Sequence, residues 1–250
     1  MLRSHDERLL RRSLALVWLS TGLLVVHPEY RLIGVEWLGR LGLPASVMWL
    51  TCVGETLLGA YLWLRPIERG LAWLQSAAVL GFTLILAALS PIMLAHPLGM
   101  LSKNLPFVLT VWVCHLSVKG SSGTEFGTKL LRFAMAVVWI TEGIFPKLLF
   151  QQELELAIPR AWGLDNAESS VLIAGVGIAQ ALSGVAALML RGQALRYLWT
   201  AQLLALVFLP AMVTFYLPEM WWHPFGPLTK NLPLLAGTYV LLRSCSPTSS

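Results

Sequence analysis

The sequence predicts an all-α integral membrane protein of eight transmembrane helices, arranged as two four-helix bundles of the same orientation. Three observations carry this. Hydrophobic residues make up 56% of the chain and charged residues 12%, against about 25% charged in soluble domains, and the mean hydropathy is +0.69. The missing charge is lost in blocks, because long apolar runs alternate with short segments rich in Pro, Gly, Lys and Arg. The second half of the chain also repeats the first. Helices satisfy their own backbone polar groups in lipid, so apolar blocks of this kind read as membrane helices.

A spanning helix needs roughly 20 apolar residues. Eight candidates lie near 11–28, 46–64, 70–92, 105–118, 130–150, 169–190, 195–217 and 231–243, the fourth and eighth being short. The first run, Ser13 to Val26, resembles a signal-peptide core. Its flank carries Asp6 and Glu7 among arginines and no small-x-small cleavage site follows, so it is expected to stay in the mature chain. RPIERG after the second span and RGQALR after the sixth are polar turns. The Gly/Ser-rich stretch 120–128 reads as a linker between units 1–119 and 129–250.

The two units align with short gaps. VWLSTG (Val17 to Gly22) pairs with VWITEG (Val138 to Gly143), LGL (Leu41 to Leu43) with WGL (Trp162 to Leu164), and Gln75 with Gln202. HPLGMLSKNLP (His96 to Pro106) and HPFGPLTKNLP (His223 to Pro233) share eight of eleven residues. Such order implies internal duplication. Four spans per unit return the chain to its starting side, so the copies are parallel. With both termini in the cytoplasm, twelve Lys and Arg residues, Lys119 among them, fall inside and six outside, as the positive-inside rule requires. The net charge of +5 is scattered, and no motif for nucleic-acid binding is present.

Two constellations could carry chemistry. The repeated outer loop offers His96, Lys103 and Asn104, and again His223, Lys230 and Asn231, as donors to a polar or anionic headgroup. Architecture accounts for part of the same loop: Pro97 and Pro224 end a helix, Gly99 and Gly226 make a turn, and Asn104 and Asn231 cap the next helix. The second constellation is acidic. A carboxylate inside a span costs a few kcal/mol and marks a candidate site, and Glu55 and Glu142 both qualify. At 1.5 Å per residue they sit roughly 14 and 12 Å below the outer ends of their helices, in one polar layer. Thr21 replaces Glu142 in the first unit, Gln180 replaces Glu55 in the second, and Val26 replaces Lys147. Each acid could equally serve as hydrogen-bonding glue between helices. Cysteine and histidine spacings match no metal site. Trp37, Trp49, Trp162, Trp221 and Trp222 fit an outer aromatic belt, with Trp63, Trp73 and Trp199 inside.

At VWITEGIFPK (Val138 to Lys147) and WWHPFGPLTKNLP (Trp221 to Pro233), echoed by HPLGMLSKNLP, the chain resembles the DoxX-like family of small four-helix membrane proteins. It is similar in particular to the DoxX-like unit fused to NAD-dependent epimerase domains, although no nucleotide-binding domain is seen here. The first unit departs from the pattern at Thr21 and Val26. The resemblance implies a four-helix bundle per half and a bacterial cytoplasmic membrane, and the wider group is associated with quinone-linked sulfur oxidation and redox homeostasis. The leading expectation is an accessory redox-linked protein that binds a quinone or another lipid-soluble molecule between the halves. Glu142, Lys147, His223 and Lys230 would line the headgroup end. Helix faces rich in small residues, such as GVGIAQALSG (Gly175 to Gly184), also suit a non-catalytic scaffold or chaperone for a membrane or redox partner subunit. The parallel repeats and buried acids leave a transporter as the third reading.

Overall fold

A computed structural model of the chain describes residues 3–118 and 121–245; Lys119 and Gly120, at the expected junction, lie outside the described residues. The first repeat contains α1 (Ser4–Leu23), α2 (Pro28–Arg40), α3 (Ser46–Leu64), α4 (Arg69–Leu89) and α5 (Asn104–Ser117). The second contains α6 (Ser121–Ile144), α7 (Glu153–Ala161), α8 (Asn166–Met189), α9 (Gly192–Tyr216) and α10 (Asn231–Ser244). No strand occurs among the described residues. The Gly/Ser-rich stretch expected as a linker is helical from Ser121 onward and forms the start of α6.

By length and composition five helices can cross a membrane: α1 with the turn that follows it, α3, α4, α8 and α9. A sixth is added if α6 and α7, bent by 84° at their junction, count as one span. Helices α5 and α10 each have 14 residues, about 21 Å of helix against a hydrocarbon core of about 30 Å. The short helices α2 and α7 were not anticipated. They occupy equivalent places in the two repeats, α2 opening with Pro28 at its first position, where a missing N–H costs little. Capping then starts α8: the Glu168 amide donates to Asp165 Oδ1 (2.8 Å) and the Asp165 amide donates to Glu168 Oε2 (3.0 Å).

Packing joins the halves. Helix α1 lies against α3, α5 and α10, while α6 lies against α8, α5 and α10. One core cluster takes Leu10 and Leu14 from α1, Val111 from α5, Leu131 and Met135 from α6, and Val240 from α10. The sequence suggested two four-helix bundles. Helices α5 and α10 fill a common centre between the halves, so the two interiors are continuous. Trp199, expected in the inner aromatic belt, is 0% exposed within this core.

Apolar burial drives association weakly inside lipid, so close packing must do more. A Cβ on Gly143 would lie 2.4 Å from the Gly177 carbonyl oxygen, and one on Gly184 would lie 2.7 Å from that of Ala136. The small-residue face of α8 is therefore spent on α6. Arginines tie the opposite end of the same pair. Arg132 on α6 donates to the carbonyls of Ala187 and Leu190 (both 2.6 Å) at the end of α8. Its counterpart Arg11 on α1 donates to those of Leu62 and Trp63 at the end of α3. Both satisfy carbonyls that a helix C-terminus leaves open.

Candidate functional site

The repeated loops make reversals of similar form. Gly99 and Gly226 have φ of +66° and +57°, the left-handed region that glycine enters without steric cost. His96 Nδ1 accepts from the Leu98 amide (3.4 Å) and His223 Nδ1 from the Phe225 amide (3.3 Å). The imidazoles thus brace the turns, and neither lines either of the cavities described next. Burial is the main influence lowering the pKa of each histidine to about 4; the nearby charges of His223 and Lys103 add to it at His96, and that of Lys230 at His223. The expected asparagine caps are absent. Lys103 and Lys230 occupy the cap positions without side-chain capping bonds, and Asn104 Nδ2 donates sideways to Thr83 Oγ1 (2.8 Å).

Each lysine leaves its own repeat. Lys103 Nζ donates to the Pro227 carbonyl in the second loop (3.0 Å), and Lys230 Nζ donates to the Met100 carbonyl in the first (2.8 Å). Met100 and Pro227 are themselves equivalent, so the two loops clasp each other reciprocally. Burial, above all, pushes both ammonium groups down, Lys103 to about 8 and Lys230 to about 7.

The exchange completes two separate cavities. One, of about 280 Å³, lies among α6, α7, α8 and α9 and is closed by Pro97, Leu98 and Lys103 from the first loop, with Asn231 at the start of α10. Its polar residues include Glu142, Lys147, Glu155 and Gln180. Ser102 Oγ hydrogen-bonds Glu142 Oε1. Pro146 has no N–H to give the carbonyl four residues back, that of Glu142, and a single π-helical turn, Phe145–Leu149, follows. This turn swings Lys147 inward, where Nζ meets the Glu142 carbonyl (3.3 Å) and pairs with Glu155 Oε1 (2.6 Å). Trp139 also lines the wall; its Nε1 is buried without a partner, as is Gln180 Oε1.

The other cavity, about 510 Å³, lies among α1, α2, α3 and α4 and is closed by Pro224, Phe225 and Lys230 from the second loop. Thr21, Tyr30, Glu55 and Asn104 line it. The acid missing from the first helix, where Thr21 stands, is thus supplied to the same cavity from α3. The two acids therefore do not share one cavity. Glu142 is associated with Lys103 and Lys147, and Glu55 with Lys230.

Several participants escaped sequence reading. Glu155 and Tyr30 lie in segments with no recognisable motif, and Ser102 stands at a position of the repeated loop that differs between the copies, opposite Thr229. The open indole of Trp139 does have a legible origin. In the first repeat Trp18 Nε1 donates to Gln75 Oε1 (3.0 Å). In the second, Gln202 Nε2 donates instead to the carbonyl and hydroxyl oxygens of Ser183 (both 3.2 Å). Ser183 stands where the first repeat has Leu58.

Comparison with known proteins agrees with this duplicated arrangement. No curated protein and no solved structure shows significant similarity to the chain. The sequence pattern of the DoxX-like family matches twice, over residues 15–112 and 136–239. With both repeats matched over most of their length, the chain belongs to the DoxX-like family as a tandem duplication.

Proposed function

We propose that this multi-pass membrane protein is an accessory redox-linked protein of the bacterial cytoplasmic membrane, which binds a quinone in the cavity of its second repeat. The unpartnered indole of Trp139 is the observation that carries the reading. It is a donor in a mostly apolar wall, suited to a quinone carbonyl, with the ammonium groups of Lys103 and Lys147 also at the cavity. Leu172, Val176, Leu206 and Leu209 offer apolar surface to an isoprenoid tail. Sites for small molecules commonly combine apolar walls with a few placed polar groups. A scaffold role drew on the small-residue face of α8, but Gly177 and Gly184 are occupied by α6 within the chain.

The same proposal includes eight spans, with α5 and α10 as short central crossings preceded by the clasped loops, and units bounded as 1–119 and 129–250. Both termini would be cytoplasmic, as the charge count favours. Titration of the purified chain with a short-tailed quinone, followed by tryptophan quenching, tests the ligand. Saturable binding is expected, weakened about fivefold to tenfold by Trp139→Phe, the worth of one hydrogen bond of about 1–1.5 kcal/mol. A wild-type chain showing no saturable quenching would contradict it.

A further inference from the structure

The first repeat departs from the family motif at Thr21 and Val26, yet it encloses the larger cavity. We infer that this cavity is a second ligand site, selective for a neutral amphiphile whose polar end donates hydrogen bonds: a phenol or hydroquinone with an apolar tail. The inference rests on which hydrogen-bonding groups are already spent. Trp18 gives its N–H to Gln75, so the donor left open in the second repeat is closed here. Two acceptors among the lining residues remain buried and unpartnered, Glu55 Oε2 and Asn104 Oδ1.

The orientation of the Asn104 amide is fixed by its neighbour. Thr83 Oγ1 donates its own proton to the Val79 carbonyl (2.7 Å), so its oxygen must accept from Asn104 Nδ2 and Oδ1 faces elsewhere. A buried acceptor without a donor costs about 1–3 kcal/mol, and a ligand hydroxyl would relieve that cost. An ammonium ligand could also donate, but Lys230 already places a positive charge by Glu55, so a neutral donor fits better. Trp18, Phe82 and Phe107 supply aromatic wall for the ring, and Leu74 and Val79 supply apolar wall for the tail. The two repeats thus differ in their open groups: the second keeps an indole donor beside the acceptors Glu155 Oε2 and Gln180 Oε1, whereas in the first the indole is closed and Glu55 Oε2 and Asn104 Oδ1 are left open.

The test uses the full chain in lipid nanodiscs and calorimetric titration with three probes of equal tail length: 4-decylphenol, 4-decylanisole and decylamine. The phenol is expected to bind at least about tenfold more tightly than its methyl ether, which cannot donate, and more tightly than the amine. Glu55→Leu should abolish that preference. Gly54→Phe should also abolish binding by filling the cavity: Gly54 lines it, and a Cβ there meets nothing within 4 Å. Equal binding of phenol and ether, tighter binding of the amine, or a preference that survives both substitutions would overturn the inference. The comparison of phenol with ether needs no variant, so a misfolded mutant cannot shield it. Quinone titration of the same preparation judges the second-repeat site separately.

Discussion

At the scale of single residues, the loop histidines act as neutral acceptors. Both are held near a pKa of about 4, against an ordinary value of 6.5. A base whose folded pKa is depressed binds fewer protons folded than unfolded between these values. Stability should therefore be fully present above about pH 6.5 and decline as pH falls towards 4. Melting temperatures in detergent across that range check this. The double variant His96→Asn, His223→Asn keeps a side-chain acceptor for each turn and should flatten the profile. Gly99 presents a different constraint. At φ +66° an added Cβ would stand 2.6 Å from Glu142 Oε1 and 2.7 Å from Lys103 Cε. Gly99→Ala should lower stability by about 1–2 kcal/mol from backbone strain alone and also weaken ligand binding at the second-repeat cavity. The same change at Gly39, where a Cβ meets nothing within 4 Å, should be tolerated, and thermal melts of the two variants compare them.

Among the elements, the paired arginines are the most directly testable. Arg132 binds two carbonyls at the end of α8 at 2.6 Å each. Hydrogen bonds from charged donors contribute about 1.5–3 kcal/mol, so Arg132→Ala should destabilise the chain by about 2 kcal/mol or more. Arg132→Lys should recover part of the loss, since one ammonium replaces a planar fork. Denaturant melts in detergent measure both. Sequence reading found Arg11 and Arg132 only as charges that orient loops, because their acceptors are 51 to 58 residues away. The long apolar helices were legible from composition alone. Helices α2 and α7 were missed, since each is short, mixed in polarity and held by packing on a neighbour, α2 on α3 and α7 on α8. The Lys147–Glu155 pair was hidden for the same reason: it forms only after the π-turn and the bend into α7 bring the residues together.

For the whole molecule, duplication was legible from the two loops and is matched by the double family assignment. What the sequence could not disclose is that the loops change places. Lys103 serves the cavity of the second repeat and Lys230 that of the first, an exchange that depends on α5 and α10 meeting at the centre of one shared core. The repeated Lys-Asn dipeptide is thereby divided, each lysine crossing to the other repeat while each asparagine stays with its own. The most direct test is to map the contacts of a photoreactive quinone by mass spectrometry of the labelled, intact chain. Labelling that is competed by unmodified quinone is predicted in three stretches together: Trp139 to Lys147, Leu172 to Gln180, and Pro97 to Lys103 of the opposite repeat's loop. Labelling that is not competed, or that leaves the first loop untouched while marking α6 and α8, would contradict the account.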